Sequence, residues 1–475
     1  MTDVRAWLEE YRGTREALEA ALLPLATSMD GRRFNFQVPL HALELEPGGY
    51  VTIEGDGTTR LGQLLSLELR HQDATAPGLG QVRLRAGGGN GAILDGDERP
   101  FHDALVRRAT PDEVGAWLER TRPDRAQLEV GELALAPGVP FRLDAGGFGR
   151  HTFLCGQSGS GKTYSLGVLL ERLLMETNLR VVVLDPNSDY VRLGEPRVDD
   201  PSYRDAAASV EVRGDASGPE PIRIRFRDLS PVHQAALLRL DPLGDRAEYG
   251  ELLALVEGES IRSLEDLAES QAEDLKLRAR NLGIDRFGIW PGPEGESLLD
   301  ELVTPAGPRC LVVDLGSLGT REEQTLTAGA VLERLWRERA RREPVAIVID
   351  EAQNVCPAEA ADPLTALATE DAIRIAGEGR KFGLYLIVVT QRPQKIHENV
   401  LSQCDNLVLM RMNSVADLAH VASVFSFVPP GLVDQATTFG QGEALAAGKI
   451  ASHPALVCIG SRISHEGGAD VAGWA

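Results

Sequence analysis

The chain has 475 residues, of which 43% are hydrophobic and 25% charged, a composition that is ordinary for a water-soluble globular protein. At roughly 100–200 residues per domain, this length accommodates about two to four domains. The 71 acidic and 49 basic residues give a formal net charge of −22. Such acidity argues against binding nucleic acid over the whole surface, because phosphate contacts need local positive charge, but it is compatible with DNA held in a restricted basic channel.

The sequence does not predict a membrane or secreted protein. No apolar run is long enough to span a bilayer, and the N-terminus lacks the basic region and apolar core of a secretory signal. The five cysteines are scattered without a Cys-x-x-Cys pair, which indicates small buried thiols in a reducing cytosol rather than a disulfide or zinc framework. We therefore expect a cytoplasmic protein without a membrane partner.

Two small units are predicted in the N-terminal third. Residues 1–30 show the amphipathic spacing of a helical appendage. Residues 31–145 contain short alternating runs separated by glycine-rich turns, which is typical of a small β-barrel. Within this region Thr110 and Glu113 form a capping-box pattern with Pro111 at the first helical position, so one helix is expected there.

A complete phosphate-binding loop follows. Residues 156–163 read Gly-Gln-Ser-Gly-Ser-Gly-Lys-Thr, between an apolar strand at 151–155 and a helix that begins near Lys162. Lys162 is predicted to contact the β- and γ-phosphates, and Thr163 to place its hydroxyl on Mg²⁺. The pattern therefore predicts ATP and Mg²⁺ as cofactors, with the nucleotide held by Gly156, Ser158, Gly159, Ser160, Gly161, Lys162, Thr163 and Tyr164.

Strands and helices alternate from about residue 146 to residue 465, which predicts an α/β fold with a mostly parallel sheet, here a RecA-like P-loop ATPase core. The strand pattern is lost between about 230 and 300, where a helical insertion is expected. Residues 466–475 are interpreted as a tail. The apolar strand candidates of the core are 151–155, 181–185, 310–315, 345–350, 384–390, 406–411 and 456–460.

The strand at 345–349 ends in two acids, Asp350 and Glu351. In P-loop enzymes an acid at this place holds Mg²⁺, and we expect Asp350 to do so. Glu351 is expected to polarise the water that attacks the γ-phosphate. A pair of solvated acids at a strand end is the alternative, and it is disfavoured because a complete phosphate loop precedes it.

Two further positions are candidates for catalysis. Gln391 ends the strand at 384–390, which should neighbour both motif strands, so its amide is expected to contact the γ-phosphate or the water; a turn residue before Pro393 is the alternative. Arg380 ends a helix and is positioned to reach the site of a neighbouring subunit, where such a residue accelerates hydrolysis by roughly 10³–10⁵. A favourable charge at a helix C-terminus explains Arg380 equally well.

These motifs together resemble the HerA branch of the HerA/FtsK superfamily of ring ATPases. The similarity extends over about residues 34–465, including a region like the small HAS-type β-barrel that precedes HerA ATPase cores. The matching stretches are 150–163, 185–190, 349–353, 379–383, 390–393 and 401–404. The chain departs from the family pattern at Asp189, where Glu is usual, and at Gln353, where His is usual.

The resemblance implies a homohexameric ring that threads double-stranded DNA through its centre and moves along it with ATP. It also implies a nuclease-type or other effector docked on the barrel face, and arginines, here Arg150 and Arg380, that reach across the subunit interface. A DNA translocase or helicase in DNA processing or anti-phage defence is the leading interpretation. An ATP-binding ring scaffold or sensor that regulates a defence effector without processive movement remains the alternative, and stimulation of ATP hydrolysis by DNA separates the two.

Overall fold

A computed structural model of the chain describes residues 2–40, 44–76, 79–96, 98–197, 200–215, 218–258, 267, 272–291, 295–304 and 307–468. The helices in these ranges are α1 (Thr2–Ala20), α2 (Pro111–Thr121), α3 (Lys162–Glu176), α4 (Arg204–Ala208), α5 (Pro231–Leu237), α6 (Arg246–Glu257), α7 (Glu273–Leu282), α8 (Leu298–Glu301), α9 (Arg321–Arg337), α10 (Pro363–Glu378), α11 (Glu398–Leu401), α12 (Val415–Val424) and α13 (Pro430–Val433). No helix in these ranges combines the length and the apolar character that crossing a bilayer requires.

The strands form two sheets, one N-terminal and one central. The N-terminal sheet contains β1 (Leu25–Ser28), β2 (Arg33–Pro39), β3 (Tyr50–Gly55), β4 (Thr58–Leu64), β5 (Glu68–Ala76), β6 (Gly80–Asp95) and β7 (Phe101–Arg108). The central sheet contains β8 (Gln127–Leu133), β9 (Pro140–Asp144), β10 (His151–Cys155), β11 (Arg180–Asp185), β12 (Val210–Arg213), β13 (Cys310–Asp314), β14 (Val345–Ile349), β15 (Leu384–Thr390), β16 (Cys404–Met410), β17 (Glu443–Gly448) and β18 (Ala455–Ile459).

The N-terminal sheet closes into a six-stranded antiparallel barrel in the order β2-β1-β7-β3-β4-β6, because β6 also pairs with β2. Strand β6 has 16 residues, enough to pair with β5 along its first half and with β4 along its second half. Alternation along β2 puts Phe34, Phe36 and Val38 in the barrel core. The predicted capping box is confirmed, with Thr110 and Glu113 bonded reciprocally at the start of α2.

The pairing of strands differs at two places from the predicted boundaries of 1–30 and 31–145. Residues 25–28, assigned from sequence to the appendage, form β1 of the barrel and pair with β2 and β7. Residues 127–144, assigned to the barrel, form β8 and β9, and β8 pairs with β18 in the central sheet. Alternating strands look alike in sequence whichever sheet they join, and β18 lies far along the chain, so the local pattern could not reveal this partner.

The central sheet has eleven strands in the order β12-β13-β11-β14-β15-β10-β16-β17-β18-β8-β9. Pairing is parallel from β12 to β16 and antiparallel from there to β9. Strands β10, β13 and β14 are buried along their whole length, because helices cover both faces of the parallel part. Strand β15 lies between β10 and β14, the neighbour relationship that the sequence predicts for the strand of Gln391.

The segment between β12 and β13 contains α5, α6, α7 and α8, where the sequence predicts a helical insertion at about 230–300. Residues 259–266, 268–271 and 292–294 of that prediction lie outside the described residues, as do residues 469–475 of the predicted tail. All five cysteines are free; four are buried and Cys458 is half-buried.

The barrel joins the central sheet through the loop between β17 and β18. The Tyr50 hydroxyl of β3 lies 2.7 Å from Nε2 of His453 in this loop. The Gln63 amide of β4 donates to the carbonyl of Pro454 at 2.8 Å. His453 is only 6% exposed, so these polar contacts are made inside the junction and hold the barrel against the ATPase core.

Candidate nucleotide-binding site

The phosphate loop connects the carboxyl end of β10 to the start of α3. Its glycines are required by conformation and by space: Gly159 and Gly161 have φ of 71° and 95°, a left-handed region that side chains with a Cβ avoid. A Cβ on Gly156 would lie 2.7 Å from the Cβ of Met410. Gly161 is the N-cap of α3 and supplies no side-chain cap, so the first N–H groups of the helix remain available to an anion.

Neighbouring segments fix the shape of this loop. The Gln157 N–H donates to the carbonyl of Arg411 at 2.9 Å, and the Arg411 guanidinium donates to the carbonyl of Gly159 at 2.9 Å. On the other side the Gly442 N–H donates to the carbonyl of Ser160 at 3.0 Å. No role was predicted for Arg411 or Gly442 from sequence, because Arg411 follows β16 and Gly442 precedes β17, and these strands meet the loop only in the folded sheet.

Three carboxylates meet beside the loop. Oxygen atoms of Asp185, Asp189 and Asp350 all lie within 4.8 Å of one another. Burial raises the pKa of Asp350 to about 7 and that of Asp185 to about 6, and it also raises the pKa of Asp189. The Thr163 hydroxyl donates to Oδ2 of Asp189 at 3.3 Å. Clustered carboxylate and hydroxyl oxygens are the donor set that Mg²⁺ prefers, and a divalent cation would offset their mutual repulsion.

Glu351 is held at the mouth of the site by an amide relay. The Gln353 amide donates to Oε2 of Glu351 at 2.5 Å, and the Thr390 hydroxyl donates to Oε1 of Gln353 at 2.6 Å. Nε2 of Gln391 lies 3.4 Å from the same Glu351 oxygen. Glu351 has φ of 43°, unusual for a residue with a side chain, and such strain concentrates at functional sites. The sequence singled out Gln353 only as a departure from the family pattern and did not single out Thr390.

A cavity of about 710 Å³ opens where these groups meet. This volume is within the usual range for ligand sites, roughly 300–1,000 Å³. Its lining includes the predicted residues Ser158, Gly159, Gly161, Lys162, Thr163, Tyr164, Glu351 and Gln391. It also includes residues for which the sequence suggested no such role: Asn187, Asp189, Gln441, Gly442, Ile459 and Glu466. Gly156, Ser160 and Asp350 are buried and do not line the cavity.

Arg150 and Arg380 are not brought to this cavity. Both guanidinium groups contact Oδ2 of Asp405, at 3.4 Å and 3.0 Å. Arg150 precedes β10 and Arg380 precedes β15, so they lie at the amino edge of the parallel sheet, whereas the phosphate loop lies at the carboxyl edge. At about 3.3 Å per residue, the five residues of β10 alone separate the two edges by roughly 16 Å.

The loop, the acidic strand end and the mostly parallel sheet define a P-loop nucleoside triphosphatase. The domain family described as "Helicase HerA, central domain" matches residues 128–276. The DNA double-strand break repair helicase HerA of Pyrococcus furiosus is 26% identical over 420 residues, covering 75% of this chain and 74% of that protein. The protein of the same name from Saccharolobus solfataricus is 25% identical over 400 residues, covering 78% and 75%. The chain is thus similar to HerA helicases over about three quarters of its length, at the low identity of distant relatives.

Two solved structures align with the chain at low similarity. VirB4 of Thermoanaerobacter pseudethanolicus aligns with a TM-score of 0.49 and 16% identity, over 71% of this chain and 97% of that one. The bacterial conjugative coupling protein TrwB aligns with a TM-score of 0.47 and 16% identity, over 74% and 92%.

Proposed function

We propose that the protein is a cytoplasmic, ATP-hydrolysing translocase or helicase that acts on double-stranded DNA as a homo-oligomeric ring, with six subunits. The observation that carries this proposal is the convergence of Lys162, Thr163, the carboxylate cluster and Glu351 on one nucleotide-sized cavity. The relatives named as DNA double-strand break repair helicases support DNA as the substrate.

Each group around the cavity has a distinct part in hydrolysis. The loop N–H groups and Lys162 bind the phosphates, and Thr163 with Asp350 holds Mg²⁺, with Asp185 and Asp189 beside them. When bound, Mg²⁺ neutralises charge that develops on the phosphate oxygens. Glu351 orients the attacking water and accepts its proton, while Gln391 fixes the Glu351 carboxylate through its amide. Phosphoryl transfer depends mainly on such positioning and charge stabilisation.

Arg150 and Arg380 complete the site of a neighbouring subunit. They lie at the opposite edge of the sheet from their own phosphate loop, so they have no path to their own nucleotide. In a ring, the amino edge of one subunit facing the carboxyl edge of the next would place them near its γ-phosphate. Each ATP site would then be complete only in the assembly.

The net charge of −22 favours DNA in the central channel and a protein partner on the outside. A nuclease-type or other effector is proposed to dock on the exposed barrel, in DNA processing or in defence against phage. This part of the proposal rests on the family resemblance.

The experiment measures ATP turnover with and without double-stranded DNA at several salt concentrations. We expect stimulation by DNA that weakens steeply with salt, because phosphate contacts release counterions. Lys162→Ala should abolish turnover, and Glu351→Gln should bind ATP without hydrolysing it. ATP turnover that does not change on adding DNA at any salt concentration would contradict the translocase proposal and favour the scaffold. Full turnover in Lys162→Ala would contradict the assignment of the nucleotide-binding site.

A further inference from the structure

Residues 459–468, from the last residue of β18 onward, cross the start of α3 and reach the carboxylate cluster; they are called the C-terminal strap here. The Arg462 N–H donates to the Tyr164 hydroxyl at 2.8 Å, directly beyond Thr163 of the phosphate loop. Further along, the Gly467 N–H donates to the carbonyl of Asp189 at 3.0 Å. The strap therefore forms one wall of the nucleotide cavity, to which it contributes Ile459 and Glu466.

A buried ion pair anchors this strap to α3. The Arg462 and Glu171 side chains are both 0% exposed and lie 3.8 Å apart. The Glu171 carboxylate also accepts the backbone N–H groups of Ile463 at 2.9 Å and of Ser464 at 2.7 Å. Buried charges are costly unless they are paired and hydrogen-bonded, and this pair is both. Because α3 also carries the phosphate loop, the strap has a fixed position relative to the bound phosphates.

The cavity lining combines groups suited to phosphates with groups that are not. Lys162, Thr163, Asp189 and Glu351 are the groups proposed to act on the polyphosphate and Mg²⁺. The lining also includes Tyr164, Gln441, Gly442, Ile459 and Glu466, without a basic side chain among these five. A carboxylate such as that of Glu466 repels phosphate, but it accepts hydrogen bonds readily from hydroxyl groups.

Glu466 is placed to make such bonds. Its Oε1 lies 3.4 Å from Nη2 of Arg197, and 40% of its side chain remains exposed beside the cavity. One carboxylate oxygen can therefore stay with Arg197 while the other faces a ligand. A Glu or Asp that accepts from ribose hydroxyls is the recognition chemistry used at many dinucleotide sites.

We propose that Glu466, held in place by the C-terminal strap, recognises the ribose hydroxyls of the bound nucleotide. This rests on the proposed nucleotide site and adds a specificity-determining residue to it. The base then lies along Tyr164 and Ile459, which supply the less polar part of the same wall.

The test is calorimetric titration of the full chain with Mg²⁺ and three probes: ADP, 2′,3′-dideoxyADP and pyrophosphate. The wild type should bind ADP about 10-fold more tightly than dideoxyADP, the difference expected for hydrogen bonds to a charged acceptor. Glu466→Ala should lower the ADP affinity to that of dideoxyADP and leave dideoxyADP and pyrophosphate unchanged. Glu466→Gln, which keeps one acceptor oxygen, should retain part of the preference.

Glu195→Gln is the matched control. Glu195 is an exposed acid whose backbone carbonyl accepts the N–H of His465 at 2.9 Å, but its side chain does not line the cavity. It should keep the wild-type preference for ADP. An undiminished preference in Glu466→Ala, or an equal loss for ADP and dideoxyADP, would overturn the ribose assignment. Failure of the wild type to bind either ADP or pyrophosphate would instead overturn the nucleotide site, and the ribose assignment with it.

Discussion

Nη1 of Arg380 lies 3.0 Å from Oδ2 of Asp405, at the amino edge of the parallel sheet. Nη1 of Arg150 contacts the same carboxylate oxygen at 3.4 Å, so a single acid gathers two cations at the edge farthest from their own phosphate loop. The pairs are partly exposed, so each contributes little to stability. Asp405 therefore holds both arginines, partly exposed, at this edge of the sheet.

Arg380→Ala should reduce ATP turnover strongly while leaving nucleotide binding to the isolated chain unchanged. An arginine supplied in trans contributes roughly 10³–10⁵ in rate in the best-studied cases, so a loss of at least about 100-fold is expected. Steady-state turnover and equilibrium ADP binding are measured side by side. Lys381→Ala, which removes the adjacent exposed cation, is the control and should keep turnover. Mixed assemblies of Arg380→Ala and Glu351→Gln subunits should regain activity; no recovery at any mixing ratio would contradict action in trans.

Gln353→Ala should lower the maximal rate of ATP hydrolysis more than it changes the Michaelis constant. Gln353 connects the Glu351 carboxylate to the Thr390 hydroxyl, so its loss frees the carboxylate from its orientation without touching the phosphate loop. We expect a decrease of roughly 10-fold, since misplacing a catalytic group is costly even when binding is intact. Gln353→His restores the residue usual in the family and should retain activity, and Gln394→Ala at an exposed position should have no effect. Equal rates in Gln353→Ala and wild type would show that the relay does not position Glu351.

Asp371→Asn should stabilise the protein at pH 8, and the gain should shrink as the pH falls towards 4. Burial raises the pKa of Asp371 on α10 to about 7, against an ordinary value near 3.8. A carboxyl with a raised pKa in the folded state holds its proton longer than in the unfolded chain, so it costs stability as the pH rises from about 4 to 7. Asparagine does not ionise and so avoids this loss of stability. At pH 8 we therefore expect the midpoint of thermal unfolding of Asp371→Asn to be higher than that of the wild type by roughly 2–4 °C.

The charged and titratable groups that face Asp371 must be the same in both proteins of that comparison. Arg374 approaches it at 3.2 Å, and His233 of α5 at 3.5 Å, with the pKa of His233 lowered to about 4 by burial. Asp362→Ala, at the N-cap of α10, is the control because it removes the side-chain oxygen that caps the helix and should destabilise at both pH values. A gain for Asp371→Asn that is the same at pH 5 and pH 8 would contradict the titration argument.

Tyr50→Phe should destabilise the junction between the barrel and the central sheet. Removing the hydroxyl leaves Nε2 of the buried His453 without the partner that lies 2.7 Å away. An unsatisfied buried polar group costs about 1–3 kcal/mol, which chemical denaturation can resolve. Tyr385→Phe is the control because Tyr385 lies on β15, away from the barrel. Identical unfolding midpoints for the Tyr50→Phe variant and the wild type would show that the contact does not contribute to the free energy of unfolding.

The parts of the site that are local in sequence were predictable. The phosphate loop requires glycines at positive φ between a strand and a helix, so its eight contiguous residues sufficed to predict it. Asp350 and Glu351 directly follow an apolar strand, and that strand end sufficed to predict their place in the site. Asp185 and Asp189 stood in a matching stretch, but their meeting with Asp350 depends on the parallel pairing of β11 and β14.

The remaining parts depend on contacts between distant segments. Gln441, Ile459 and Glu466 reach the cavity only because β17 and β18 extend the sheet beside the phosphate loop. For the same reason the strands at 127–144 were assigned to the wrong sheet: their alternation is shared with the barrel, and only the pairing of β8 with β18 distinguishes them.

Strand β17 has a geometric consequence for how ATP is used. Its preceding residue Gly442 is bonded to the phosphate loop at Ser160, and the loop after it carries His453 into the barrel. A six-residue strand is stiff and about 20 Å long. Displacement of one end is therefore transmitted to the other, so that emptying or filling the cavity would be felt at the contact between His453 and Tyr50 of the barrel.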